Sequence, residues 1–177
     1  MYRNHLILFA LSLLYMGCGY GFVSLQDSLP GKVKKVSIPI FQNRTHEAAL
    51  ENVLTSDLRK EFFKSKIIEV VSSSEAQAEI QGVITSVSLN PVAHSEKDLS
   101  GRSSKVLANE YTATIEVSVS LVKISTKEVL WSRSFSNSRQ YLANEEALKN
   151  EMRKREAFTK ISVYLMEQAH DMMLEDF

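Results

Sequence analysis

The chain has 177 residues, of which 44% are hydrophobic and 24% are charged, with 21 basic and 21 acidic side chains. This composition is typical of one soluble globular domain and excludes a disordered chain or a bundle of membrane helices. Because the formal net charge is zero, nothing in the charge balance points to a nucleic-acid partner. The single cysteine excludes an internal disulfide framework and a cysteine-rich zinc site.

The N-terminal segment has the pattern of a signal peptide followed by a lipidated cysteine. An uncharged run that starts at Leu6 (LILFALSLLYM) is shorter than the about 20 helical residues that cross a bilayer, but it suits a signal peptide. Cys18 follows a glycine, as in bacterial lipoproteins, where cleavage precedes a cysteine that carries a diacylglycerol and an N-acyl chain. We expect residues 1–17 to be a signal peptide, 18–31 a lipidated tether and 32–177 a periplasmic domain. The alternative is an ordinary secretory signal with an incidental cysteine.

The residue after the cysteine bears on the destination. Gly19 stands where an aspartate would favour retention in the inner membrane, so the sequence predicts an outer-membrane lipoprotein that faces the periplasm. Several acyl chains on Cys18 would hold the domain at the membrane, whereas a single chain binds only marginally. Apart from this covalent lipid, we expect no cofactor.

A short strand and an amphipathic helix come first in the domain. Val36, Ile38 and Ile40 alternate in KKVSIPIF, which predicts a strand, and Pro39 favours an edge position because it lacks a backbone donor. In NRTHEAALENVLTSDLRKEFFKS, Thr45 is expected to cap a helix of about five turns with one apolar stripe. That stripe consists of Leu50, Leu54, Leu58 and Phe62, with Val53 beside it.

Four further segments are predicted as strands. KIIEVVSS is the first, and AEIQGVITSVSLNP is the second, with a β-bulge near Gly82 and Val83, where its apolar phase slips. EYTATIEVSVSLVKI alternates most clearly, and after the turn STKE the segment VLWSRSFSNS places Val129, Trp131 and Phe135 in phase. The apolar side of EYTATIEVSVSLVKI consists of Ala113, Ile115, Val117, Val119 and Leu121, and the polar side of Thr112, Thr114, Glu116, Ser118 and Ser120. The polar side is expected either to face solvent or to dock on a hydrophilic partner.

A long helix is predicted to close the chain. Asn144 is expected to cap it, with Glu145 and Glu146 in its first turn. Its apolar stripe consists of Leu148, Met152, Ile161, Leu165 and Met172. The order β-α-β-β-β-β-α predicts an α+β fold with a mostly antiparallel sheet and two helices packed on one face.

No catalytic or metal-binding motif is present in the sequence. His46, His94 and His170 lie on unrelated elements without HxxxH or HExxH spacing, and each is expected at the surface or at a helix cap. There is no GxSxG and no Gly-rich phosphate loop. MRKRE in the last helix is interpreted as a solvated face with i,i+4 ion pairs. We therefore predict a protein that is not an enzyme and binds no metal ion.

Several segments resemble, in this order, the family of the lipopolysaccharide-assembly lipoprotein LptE. CGYGF is similar to the family's lipidated start, and LPGKVKKVSIPIFQNRTHEAALENVLTSDLRKEF to its first strand and helix. AEIQGVITSVSLNP resembles the strand that enters a variable loop. NEYTATIEVSVSLVKISTKEVLWSRSF resembles its strand-turn-strand unit, entered at Glu110 and Tyr111, and YLANEEALKNEM the start of its closing helix. In the second of these segments, Phe41, Asn43, Arg44 and Thr45 correspond to a turn of the family.

The resemblance implies a fold, a partner and a ligand. The family has two helices on a four-stranded sheet, so we expect four or five strands. It docks in the lumen of the outer-membrane β-barrel LptD, supports the assembly of that barrel and contacts lipopolysaccharide. Because lipid A carries phosphates, Arg102 and Lys105 in the loop before Glu110, with Arg133 and Arg139 as further candidates, are expected to contact it. Asn144 stands where the family often has a lysine.

Two other functions stay open on the sequence. A lipoprotein that binds lipid or cell wall in another system would share Cys18 and the fold but not the barrel partner. A periplasmic hydrolase would need a cleft with convergent titratable groups, which a structure can test.

Overall fold

The computed structural model describes residues 28–92, 110–143 and 146–175. These residues form six strands and two helices, numbered here in chain order. The strands are β1 (Lys35–Ser37), β2 (Gln42–Asn43), β3 (Glu69–Val70), β4 (Ala78–Val92), β5 (Glu110–Lys123) and β6 (Val129–Leu142). The helices are α1 (Leu50–Ser65) and α2 (Ala147–Glu175), and a 3-10 turn covers Pro30–Lys32.

The sheet is mixed. Its strands lie in the order β3-β1-β4-β5-β6, and β2 also pairs with β4. β4, β5 and β6 are antiparallel, whereas β1 runs parallel to β3 and β4, and β2 runs parallel to β4. The α+β class and the two helices are confirmed, but a mostly antiparallel sheet of four or five strands is only roughly right. Strands of two or three residues are too short to show an alternation in the sequence, and no local pattern encodes the direction of a partner strand.

The first predicted strand is interrupted. β1 ends at Ser37 and β2 begins at Gln42, so Pro39 lies in the break between them. β1 itself lies between β3 and β4, and the expected edge position was wrong. Proline has no backbone N–H to donate to a neighbouring strand. Its place in the break, outside both strands, satisfies this constraint without an edge position.

Both helices pack on one face of the sheet, with a single core between the layers. The predicted stripe of α1 is buried from Leu50 to Phe62, and so are the predicted apolar positions of β5 from Ala113 to Leu121. α2 contributes Phe158, Ile161, Leu165, Met166, Ala169 and Met173 to this core.

Helix α1 begins later than predicted. The Asn43 side-chain oxygen accepts hydrogen bonds from the Thr45 backbone N–H at 2.9 Å and from its hydroxyl at 2.8 Å, which forms a local turn. Ala49, with a φ of 70°, then precedes the first helical residue. The Asn43 amide also donates to Glu51 at 2.9 Å and lowers the pKa of that carboxyl. Thr45 therefore belongs to the turn and does not cap the helix.

Three predicted apolar positions near the ends of elements are exposed. Leu148 and Met152 are 75% and 64% exposed because the first turns of α2 run beyond the core, whereas Ile161 and Leu165 further along are buried. Val129 is exposed because the register shifts between Leu121 and Val122 of β5, which leaves it out of phase with the rest of β6.

The irregularity in β4 lies between Ile84 and Ser86, two residues beyond the position predicted from the sequence. Gly82 remains on the core side, opposite Val119, and the ring of Phe41 lies against it.

Several predictions concern residues outside the described ranges. These are the signal peptide, Cys18 and most of the tether, the loop residues His94, Arg102 and Lys105, and the cap residues Asn144 and Glu145. Within the described ranges, neither helix is long and apolar enough to span a bilayer.

Candidate docking face and basic groove

The sheet side that points away from the helices is lined by short polar side chains, and we call it the hydroxyl face. Residues paired directly across antiparallel strands share one side of a sheet, so the buried positions of β5 identify both sides of its neighbours. The hydroxyl face consists of Glu79, Gln81, Val83, Ser86, Ser88 and Asn90 on β4, Thr112, Thr114, Glu116, Ser118 and Ser120 on β5, and Ser132, Ser134, Ser136, Ser138 and Gln140 on β6.

Hydroxyl groups on this face pair with one another across the strands. The Thr114 and Ser138 hydroxyl oxygens lie 2.8 Å apart, and those of Ser118 and Ser134 lie 2.7 Å apart. Such pairs stabilise neighbouring strands. They also partner hydroxyls that would otherwise need water, so another polar surface can cover them without leaving them unsatisfied.

Glu116 lies in the middle of the hydroxyl face. It is exposed and sits opposite Ser86 on β4 and Ser136 on β6. On the described strands β4, β5 and β6, no lysine or arginine shares this side of the sheet. On these three strands the hydroxyl face is therefore polar and acidic.

The structure places two predicted ligand-binding residues on the opposite side. Arg133 pairs with Val119 and Arg139 pairs with Ala113, both of which are buried against the helices. The two arginines are therefore exposed on the helix side of β6, in phase with Trp131, and not on the hydroxyl face. Arg102 and Lys105 lie outside the described residues.

Arg139 belongs to a groove between β6 and α2, which we call the basic groove. It has a volume of about 230 Å³ and is lined by Arg139, Arg153, Glu156 and Lys160, among others. Arg153 donates to the backbone oxygen of Leu142 at 2.9 Å, and Lys160 pairs with Glu156. The hydrogen bond from Lys160, with Arg139 and Arg153 nearby, lowers the pKa of Glu156.

Sequence reasoning missed Arg153 and Lys160 as members of a site. Arg153 lies within MRKRE, which was interpreted as a solvated helix face with i,i+4 pairs. That interpretation is correct for Arg155, which pairs with Glu151 at 3.0 Å. The period of a helix does not reveal which of its faces will border a particular strand, so the sequence contains no signal that joins these residues to Arg139.

A second groove, of about 370 Å³, lies where the two helices begin. Lys154 contacts Glu47 at 3.1 Å and Glu151 at 3.0 Å and lies over the ring of Phe158 at 5.9 Å. Burial lowers the pKa of Lys154, but the hydrogen bonds that Lys154 donates to Glu151 and Glu47 outweigh this effect, so the net pKa is raised. The charged side chains at this groove pair with one another, and the Lys154–Glu47 pair joins the segment that precedes α1 to α2.

His170 is buried between the helices, so the predicted surface or cap position was wrong. Its Nε2 lies 3.0 Å from the Ser65 hydroxyl, its Nδ1 lies 2.8 Å from Asp171, and its ring contacts Phe62 edge-on at 4.8 Å. The sequence could not show this contact, because Ser65 and His170 lie 105 positions apart.

These three groups have the composition of a hydrolase triad, but the imidazole is only 7% exposed and neither groove described above is lined by Ser65, His170 or Asp171. The Ser65 hydroxyl also lies 3.2 Å from the Phe62 carbonyl oxygen, a second possible acceptor for its proton. His170 therefore joins the end of α1 to α2, and this cluster gives no support to the hydrolase alternative. His46 is exposed, as expected. In the described part of the chain, no three His, Cys, Asp or Glu side chains are placed to hold a metal ion.

Comparisons with known proteins agree with the resemblance seen in the sequence. The model of a family described as LptE, lipopolysaccharide-assembly, matches residues 33–158, which include all six strands. No curated protein sequence matches significantly.

Solved structures with similar folds come from several bacteria. A protein from Xanthomonas campestris is 15% identical, with 87% of this chain and 88% of that chain covered and a TM-score of 0.53. A PelC dodecamer from Paraburkholderia phytofirmans is 13% identical (83% and 92% covered, TM-score 0.51). A minor lipoprotein from Acinetobacter baumannii is 12% identical (81% and 92% covered, TM-score 0.50). At these identities, the similarity concerns the fold alone.

Proposed function

The chain belongs to the LptE lipopolysaccharide-assembly family, and we propose that it is a non-enzymatic lipoprotein that docks in the outer-membrane β-barrel LptD. In this role it supports the assembly of the barrel and the transport of lipopolysaccharide to the outer leaflet. The mechanism is steric and electrostatic: a rigid core holds a polar surface of fixed shape against the inner wall of the barrel.

The observation that carries this proposal is the hydroxyl face. The lumen of an outer-membrane barrel is polar, so a domain that fills it needs a polar surface rather than an apolar one. Contacts between polar surfaces are made by direct hydrogen bonds and by bridging waters. Short hydroxyl side chains can take part in both kinds of contact. With 14 residues each, β5 and β6 present a face about 45 Å long.

The proposed anchor is Cys18, which carries a diacylglycerol and an N-acyl chain and holds the domain at the periplasmic side of the outer membrane. The chain enters the described fold near the start of β6, where Gly31 lies beside Leu130. Arg139 and the basic groove lie toward the other end of β6, so the point where the chain enters the described fold and the basic groove are at opposite ends of this strand.

The proposed contacts with lipopolysaccharide remain Arg102, Lys105, Arg133 and Arg139. Ligand and barrel would contact different sides of the sheet. Arg133 and Arg139 lie on the helix side of β6, and the hydroxyl face is on the other side. The lipid A phosphates would then meet guanidinium groups on one side, while the barrel wall covers the other.

Co-purification tests the partner. LptD is expected to co-purify with the wild-type protein from detergent-solubilised outer membranes, and depletion of the protein is expected to lower surface lipopolysaccharide. Ser118→Trp should weaken co-purification, because a bulky ring prevents close contact with the hydroxyl face. Ser73→Trp, in an exposed turn, is the matched control. Absence of LptD from the wild-type complex, or normal surface lipopolysaccharide and a fully folded barrel after depletion, would contradict the proposal.

Mass spectrometry of the mature N-terminus tests the anchor separately. An N-terminal Cys18 with three acyl chains is expected, and Cys18→Ser should release the protein from the membrane fraction. An unmodified Cys18, or cleavage elsewhere, would exclude the lipoprotein anchor.

A further inference from the structure

On β4, β5 and β6 the hydroxyl face carries two carboxylates, Glu79 and Glu116, and Glu110 lies on the same side at the start of β5. No lysine or arginine lies on this side of these three strands. Next to β4 on the same side, Lys35 of β1 pairs with Glu69, and Arg44 donates to Gln42 of β2. Glu79 accepts a hydrogen bond from the Gln81 amide at 2.8 Å, and Glu110 has a partner of its own. The two outer carboxylates are therefore engaged within the domain.

The central carboxylate is not engaged. Among the described residues, no hydrogen bond or ion pair reaches the Glu116 side chain, and only its backbone oxygen accepts a bond, from the Thr85 hydroxyl. Thr114 and Ser118, its neighbours along this side of β5, already pair with Ser138 and Ser134. The serines directly opposite carry no charge and cannot neutralise it.

An exposed carboxylate is stable in water, but a docked one needs a partner. When another surface covers the hydroxyl face, Glu116 loses solvating water, and an uncharged wall does not replace that loss. A cation in direct contact with the carboxylate compensates for the lost solvation, because opposite charges attract more strongly as water is excluded. Arginine satisfies both carboxylate oxygens at once, and lysine satisfies one.

We propose that the wall that covers the hydroxyl face is an otherwise uncharged hydrogen-bonding surface that presents one arginine or lysine to Glu116. This rests on the proposed docking in a β-barrel lumen and names the chemistry of the contact. The pair fixes the position of the domain along the wall, since hydroxyl pairs repeat along the strands but the charge occurs once at the centre.

Charge substitutions at Glu116 test the pair in the complex with the barrel. Glu116→Lys places two cations in contact and is expected to lower co-purification of the barrel roughly tenfold or more. Glu116→Gln keeps the shape and one hydrogen-bond acceptor, so binding should weaken less and its dependence on salt should decrease. Glu75→Lys makes the same charge change in an exposed turn and should have no effect.

Charge reversal in the barrel completes the test. One lumen arginine or lysine, changed to glutamate, is expected to restore the binding of Glu116→Lys and of no other variant. If the wild type fails to bind the barrel, the proposed function is wrong. If the wild type binds and Glu116→Lys binds equally, or if no lumen reversal restores binding, the inference alone is wrong. Should Glu116→Lys fold poorly by circular dichroism, an unchanged salt dependence in Glu116→Gln would overturn the inference.

Discussion

At the residue scale, Gly82 shows how one missing side chain positions a core ring. A Cβ built on Gly82 would lie 2.3 Å from ring atoms of Phe41, well inside contact distance. Phe41 is 3% exposed and leads into β2, so the glycine allows this connection to pack flat on β4. The phase slip seen near Gly82 in the sequence thus has two causes: room for a ring at Gly82 and a bulge further along.

We expect Gly82→Ala to lower the free energy of unfolding by about 1–3 kcal/mol, because the added methyl overpacks a filled site. Urea denaturation measures this change. Adding Phe41→Leu should relieve part of the clash, so the double variant should lose less stability than the two single variants combined. Strict additivity would show that the ring and the glycine do not interact.

A second residue-scale feature is a buried polar pair between the helices. Asp57 on α1 is 5% exposed and accepts a hydrogen bond from the fully buried Ser162 hydroxyl on α2 at 2.8 Å. Its other oxygen accepts one from Lys60 at 2.7 Å. The contact aligns the two helices at their midpoints.

Removal of the acceptor should destabilise the fold more than removal of the pair. We expect Asp57→Ala to cost about 1–3 kcal/mol, since it leaves the Ser162 hydroxyl buried and unsatisfied. Asp57→Asn, which keeps an acceptor, should cost less. In chemical denaturation, Asp57→Ala combined with Ser162→Ala should be more stable than the sum of the single losses predicts; a purely additive result would contradict the coupling.

At the element scale, β6 forms one edge of the described sheet. An unpaired strand of 14 residues is a template for pairing with a second copy. Arg133 and Arg139 are charged side chains on the covered side of this edge, a placement that discourages such pairing. In an antiparallel two-fold pairing centred on Ser136, Arg133 of one copy would lie opposite Arg139 of the other, which places two pairs of like charges together.

We therefore expect the combination of Arg133→Ser and Arg139→Ser to promote self-association. Sedimentation velocity should show dimers or larger species at concentrations where the wild type is monomeric. Lys149→Ser with Arg155→Ser removes the same charge from exposed positions on α2 and should leave the protein monomeric. Identical sedimentation of both double variants would exclude the protective role of the β6 arginines.

The ion pairs that Glu151 forms in the first turns of α2 depend on pH. Hydrogen bonds from Lys154 and Arg155 lower the pKa of Glu151 below its ordinary value of 4.5. Glu151 therefore contributes stability above pH 4.5 and loses it as the pH falls through its lower folded pKa. Because the side chain is 43% exposed, solvent screening keeps this contribution below about 1 kcal/mol.

Glu151→Gln should accordingly lose less stability than the wild type between pH 5 and the acid limit of folding, and 1 M salt should reduce the difference. Thermal denaturation over a pH series measures both effects. Parallel pH profiles of the two proteins would show that the ion pairs of Glu151 make no contribution to stability.

At the scale of the whole molecule, the net charge is zero, but the two sides of the sheet differ in charge. The hydroxyl face carries carboxylates and no base on β4, β5 and β6, whereas the helix side of β6 carries Arg133, Arg139 and the rest of the basic groove. The net charge of the whole chain sums over both sides and therefore does not reveal this difference. The proposed contacts, a polar barrel wall on one side and an anionic ligand on the other, depend on this asymmetry and not on the net charge.

One core also predicts one unfolding transition. The only tryptophan, Trp131, is 6% exposed in the core that both helices and the sheet share. Its fluorescence and far-ultraviolet circular dichroism should therefore change together in urea, as in a two-state domain. Separate midpoints would mean that the helices and the sheet unfold independently.

What the sequence alone determined was local. The four-residue recurrence from Leu50 to Phe62 and the alternation from Ala113 to Leu121 identified buried faces correctly, because each is a property of a single helix or strand. The order and spacing of larger segments also identified the family, which the comparison over residues 33–158 confirms.

Only the tertiary structure decided which elements meet and in what register. It made the sheet mixed, placed Arg133 and Arg139 on the helix side, brought Arg139 together with Arg153 and Lys160, and buried His170 against Ser65. The physical reason is that periodicity describes one element at a time. Contacts between residues far apart in the chain depend on how complete faces pack together, and no single segment contains that information.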